Sequence, residues 1–133
     1  MNDITTRDDI INFVNVFYKK VNEDIILAPV FNTAMKTDWE KHLPKMYDFW
    51  ETVLLYHPIY KENMVQKHTE VDHKVSLTDE MFEHWVEHFT TTIDDLYVGE
   101  VAERAKQIAA TNVPIMKAKL AWYRNERSQL NLD

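Results

Sequence analysis

The 133-residue chain has no cysteine and a single glycine. The first absence excludes disulfides, thiolate metal ligands and a cysteine nucleophile. It also fits a reducing compartment, so a cytoplasmic location is expected. The scarcity of glycine excludes both phosphate-cradling loops, GxGxxG and GxxxxGK[ST]. It also argues against sheets joined by tight primed hairpins, whose turns need residues at positive φ. Fifteen basic residues stand against twenty-two acidic ones, a net charge of −7. The clustered Lys and Arg that a phosphate backbone requires are therefore lacking, and nucleic acid is not an expected partner. No apolar run approaches the roughly 20 residues that cross a bilayer. No basic amphipathic segment points to a membrane surface. The opening residues MNDITTRDDI are acidic and polar, unlike a secretory signal.

What is present is 45% apolar and 12% aromatic residues. A chain of this size can bury about two thirds of its unfolded surface, and residues 1–133 read as one domain. Its apolar residues recur at helical spacing. Thr6, with Asp9 three residues on and Asp8 in the first turn, opens a helix with a capping box. Ile10, Val14, Phe17, Tyr18 and Val21 then form its apolar face. Ala28-Pro29 ends any helix before it, because a residue preceding proline avoids the α region. PVFNTAMKTD becomes a compact connection that delivers Phe31 inward.

A second helix is expected to begin near His42 or Leu43, with Pro44 in a first turn that does not need its missing N–H. It should run to about Tyr56 and be closed by Pro58. His42, Met46, Phe49, Trp50 and Val53 share one side of it, with Asp48 and Glu51 opposite. Between Lys61 and Lys74 a short helix groups Met64, His68 and Val71, while Lys67, Glu70 and Asp72 face away. Thr78 caps a third long helix, stapled by Leu77 and Phe82 and striped by Phe82, Trp85, Phe89, Ile93 and Leu96. Gly99 separates it from a last helix, roughly 100–125, kinked at Pro114. The expected architecture is all-α, four long helices and one short one.

The histidines raise the chemical question. His68 sits on an apolar face, either as a core histidine bonded to a backbone carbonyl or as a metal ligand. The same two readings apply to His42. His84 and His88 stand four apart, a spacing that can serve one metal ion. They lie off the buried stripe, however, and without a third ligand in a motif they read as a solvated face. His57 and His73 fall in connections and carry no signal. Tyr18, His42 and Trp85, from three helices, each bring a polar group that needs a partner when buried. Together they point to a small pocket.

The segments IINFVNVFYKKV, APVFN, WEKHLPKMYDFWETVLL and MVQKHTEVDHKVSLTDEMFEHWVEHF, in this order, resemble the truncated hemoglobins of group III over about residues 4–115. EKHLPKMYDFWE and the run from His68 to LTDEMFEHW are the most specific parts. The resemblance implies a globin-like two-over-two helical sandwich holding heme b (iron protoporphyrin IX). It implies that His68 is the proximal ligand of the heme iron and that Tyr18, His42, Met46 and Trp85 form the distal side. Phe17, Phe31, Phe49 and Trp50 match positions lining or supporting the heme pocket.

The implied guest is a diatomic gas (O2, NO or CO), held tightly by distal hydrogen bonds. An alternative is an enzyme that detoxifies nitric oxide or cleaves peroxide. With no flavin motif in the chain, it would need an outside reductase. A reading of another class is a heme-free helical interaction module in which His42 and His68 are only core. Two segments depart from the family. LLYHPIYKEN stands where the family has a glycine-containing turn, and the tail AWYRNERSQLNLD is longer than the family needs.

Overall fold

The computed structural model describes residues 1–130. In chain order it contains α1 (Arg7–Glu23), a π-helical turn (Val30–Ala34), α2 (Trp39–Leu55), α3 (Met64–Lys74), α4 (Asp79–Leu96) and α5 (Glu100–Leu130). Among the described residues there is no strand, and no helix is long and apolar enough to cross a membrane. The α1–α2 pair lies over the α4–α5 pair, with α1 packed on α4, and α3 rests on α5. This is the expected two-over-two arrangement.

Local chemistry explains most of the boundaries. At the start of α1 the Asp9 amide donates to Thr6 Oγ1 at 3.3 Å, and the Thr6 amide donates to Asp9 Oδ2 at 3.1 Å. α1 stops before Pro29 is reached because Asp24 Oδ1 accepts from the amides of Ile26 (2.7 Å) and Leu27 (3.0 Å). Such a side-chain turn offers the backbone an alternative to the helix. The lone glycine sits where one is required. Gly99 has φ +144°, and a Cβ there would lie 2.4 Å from the Asp3 carboxylate. Asp3 in turn caps α5, accepting from the amides of Val101 and Ala102, both at 2.9 Å.

α2 begins one turn earlier than its sequence suggested. Asp38 is its N-cap residue, and the Asp38 carbonyl takes the His42 amide at 2.9 Å. Pro44 therefore lies in the second turn. It is tolerated because Pro44 and Glu40, whose carbonyl loses its donor, are both exposed. At the other end Tyr56 adopts the left-handed conformation (φ 61°, ψ 30°) usually taken by glycine. The Arg104 guanidinium holds this turn. It donates to the Leu54 carbonyl at 2.7 Å and lies 5.2 Å from the centre of the Tyr56 ring.

The core is aromatic at its centre. Phe13 meets Phe89 edge-on at 5.8 Å, and Trp50 stacks on Phe89 at 4.6 Å. Two carboxylates expected on solvent-facing sides are buried instead. Glu51 accepts from Arg7 at 3.0 Å and from His57 Nδ1 at 3.1 Å. Asp72 accepts from the Leu77 amide and Arg124 Nε, both at 2.8 Å, and from Arg127 at 3.0 Å. α5 runs on through Pro114 to Leu130, beyond the expected end, and its arginines dock on α3. The tail thus acquires a role as a brace, although residues 131–133 lie outside the described residues.

Burial alone would raise the Asp72 carboxyl. Arg124, the Leu77 amide and Arg127 outweigh burial and hold it at about 2, against an ordinary 3.8. A depressed folded value gives stability that is complete above the unfolded pKa and lost as pH falls through the folded one. With the arginines partly solvated, the loss between about pH 4 and pH 2 should be roughly 1–2 kcal/mol. Thermal melts across that window should show it, and Asp72→Asn should flatten that part of the profile. An acid limb identical in the variant would mean that the bridge adds nothing.

Candidate functional site

A cavity of about 390 Å³ opens between the helices, within the range of small-molecule sites. Eight of the nine residues singled out in the sequence line it: Tyr18, Phe31, His42, Met46, Phe49, Trp50, His68 and Trp85. The ninth, Phe17, lies one layer behind. It is 2% exposed and braces Tyr18, Trp85 and Phe89, with ring centres 4.9, 5.7 and 5.5 Å away. Tyr18 and His42 come from α1 and α2, which pack on each other, and His68 comes from α3, which rests on α5.

His68 is set up by its own helix. Asn63 caps α3, accepting from the Gln66 amide at 3.0 Å. One turn on, His68 Nδ1 donates to the Met64 carbonyl at 2.9 Å. A carbonyl only accepts, so the proton sits on Nδ1 and the lone pair of a neutral ring is left on Nε2. Burial lowers the pKa of His68 despite the opposing pull of the Met64 bond. The ring is neutral at pH 7, in the tautomer and orientation of a metal-ligating histidine.

Tyr18 is 7% exposed, and burial pushes its phenol above the ordinary range, so it stays a neutral donor. His42 Nε2 lies 3.3 Å from the Tyr18 oxygen. Burial, then Lys45 and His68, lower the pKa of His42, so it too is neutral at pH 7. If Nε2 of His42 carries the proton and donates to the phenol oxygen, the phenol proton is free for a guest. Trp85 adds an indole N–H donor to the same lining.

Other contributors were not legible in the sequence. Trp39 sets its ring 5.4 Å from those of both Tyr18 and His42, and its indole N–H donates to Asn32 at 3.0 Å. A helix start at His42 leaves Trp39 outside the helix, with no face assigned to it. Tyr60, Met81 and Met116 are among the further residues that line the cavity. Lys67, expected to face away, reaches the exposed edge of the cavity together with Lys45, which pairs with Glu62 at 3.1 Å. His84 and His88 are not simply solvated. Both point at Asp24, which only the packing of α1 on α4 brings near.

The donor set suits a heme: one neutral imidazole with a free Nε2, apolar and aromatic walls, and hydroxyl and indole donors apart from it. No family model matches the chain. A group 3 truncated hemoglobin of Campylobacter jejuni subsp. jejuni serotype O:2 (strain ATCC 700819 / NCTC 11168) is 30% identical over 111 residues, which span 78% of this chain and 85% of that protein. A crystal structure of group III truncated hemoglobin from Campylobacter jejuni is similar with a TM-score of 0.79 and 26% identity, covering 90% of this chain and 95% of that one.

Proposed function

The chain belongs to the group III truncated hemoglobin family, and from that premise we propose that it binds heme b through Nε2 of His68 and holds a diatomic gas (O2, NO or CO) beside Tyr18, His42 and Trp85. The observation that carries this reading is the His68–Met64 bond, which fixes a neutral imidazole with its lone pair free at a largely apolar cavity. Heme supplies an iron with one coordination position open to a gas.

The chain's residues do the rest. Phe31, Met46 and Phe49 exclude water. Tyr18 and Trp85 donate to the outer, partly negative atom of a polar guest such as dioxygen, where each bond is worth roughly 1.5–3 kcal/mol. Holding of this strength suits sensing or chemistry better than delivery.

The Tyr18–His42 contact favours turnover as a second reading, in nitric oxide detoxification or peroxide cleavage. A phenol hydrogen-bonded to a neutral imidazole can donate a hydrogen bond that polarises an O–O bond, with electrons coming from a separate reductase.

Titrating heme into the heme-free protein tests the primary reading. One equivalent should bind and produce the intense Soret band of a histidine-ligated heme. A chain that stays colourless with excess heme would refute it.

A further inference from the structure

Asp24 ends α1 with one carboxylate oxygen and offers the other to α4. Oδ1 is held by the Ile26 and Leu27 amides, which fixes the rotation of the carboxylate. Oδ2 lies 2.8 Å from His84 Nδ1 and 2.6 Å from His88 Nε2. One ligand atom from each residue can be chosen so that all lie within 4.8 Å of one another. The Asp24 side chain is 6% exposed while those of His84 and His88 are 35% and 28% exposed, so a sunken carboxylate meets two imidazoles open on one side. They line a surface depression with Lys20, Glu23 and Thr91. Lys20 donates to Thr91 Oγ1 at 3.3 Å and lies 3.9 Å from Asp95. The remaining nitrogen of His84 lies 3.9 Å from Glu80. A carboxylate behind an imidazole is a recurrent orienting device for metal-bound histidine.

We propose that Asp24, His84 and His88 form a site for a borderline divalent transition metal, represented by Zn²⁺, which staples the end of α1 to α4. Two imidazole nitrogens and one carboxylate oxygen are ligands that Zn²⁺ accepts, whereas Mg²⁺ and Ca²⁺ prefer oxygen alone. Without metal, the two N–H groups that point at Oδ2 satisfy the carboxylate and keep the three side chains gathered. Binding through those nitrogens leaves each imidazole neutral with its N–H on the far ring nitrogen, and a water fills the fourth position. The site lies apart from the large cavity, and its metal binding does not depend on heme. Its two helices carry Tyr18 and Trp85, and Trp85 is the neighbour of His84 in sequence.

Calorimetric titration of Zn²⁺ into chelator-treated protein tests the proposal. One equivalent should bind at micromolar concentration. Zn²⁺ should also raise the melting temperature. The double variant His84→Gln/His88→Gln, its helix content checked by circular dichroism, should lose both effects. Glu80→Gln should weaken binding about tenfold. Should the double variant not fold, His88→Gln alone serves the same comparison. Absence of Zn²⁺ binding, binding unchanged in the histidine variants, or Mg²⁺ matching Zn²⁺ would overturn the proposal.

Discussion

His68→Gly is expected to yield a folded protein that no longer retains heme. The substitution should leave the fold in place, because the side-chain bond of His68 runs to the Met64 carbonyl of its own helix and α3 is held by the Asp72–Arg124–Arg127 brace. What disappears is the one strong protein ligand that heme iron requires. Apolar contact with Phe31, Met46 and Phe49 then remains, and it is not specific for iron. Transfer of heme to an excess of a competing apoprotein should accelerate at least ~100-fold, as loss of about 3 kcal/mol or more would give. Millimolar imidazole should restore the spectrum by filling the space the side chain vacates. Full heme retention without imidazole would remove His68 from the role of ligand.

Tyr18→Phe should speed dioxygen release between about ten- and 150-fold, the equivalent of one hydrogen bond to a partly charged acceptor. The substitution is nearly isosteric. The ring keeps its edge contacts with Phe17 at 4.9 Å and Phe31 at 5.9 Å, and only the hydroxyl is lost. Carbon monoxide carries little charge on its outer atom, so its release should change far less, which separates lost hydrogen bonding from a loosened pocket. Trp85→Phe should act in the same direction. The two effects will not add simply if both donors serve one atom, and the double variant measures that coupling. Stopped-flow release rates for the four proteins check these expectations. A dioxygen rate unaffected by Tyr18→Phe would show that the phenol does not touch the guest.

Much of this site is legible along the chain because helical period reports which side chains share a face. The stripe from His42 through Met46, Phe49 and Trp50 and the grouping of Met64, His68 and Val71 follow from spacing, and the structure brings them to one cavity. The capping box at Thr6 and Asp9 is equally local and is present as expected. What spacing cannot report is the partner that makes a buried charge tolerable. Asp72 and Glu51 look solvent-facing until Arg124 and Arg127, or Arg7, arrive from remote segments. Asp24 completes the His84–His88 pair in the same way, from the end of another helix. Two backbone features were hidden for a different reason. Tyr56 takes a left-handed turn normally left to glycine, and Pro44 sits a turn deeper than its preference. Each departs from the residue preferences that such readings rely on.

The bond between His68 and iron is tested most directly by a crystal structure of the heme-loaded protein. Nε2 of His68 should lie at bonding distance from the iron, with Nδ1 still donating to the Met64 carbonyl and Tyr18 facing the open coordination position. Iron held by His42 or His57 in place of His68, or by no histidine, would contradict that assignment.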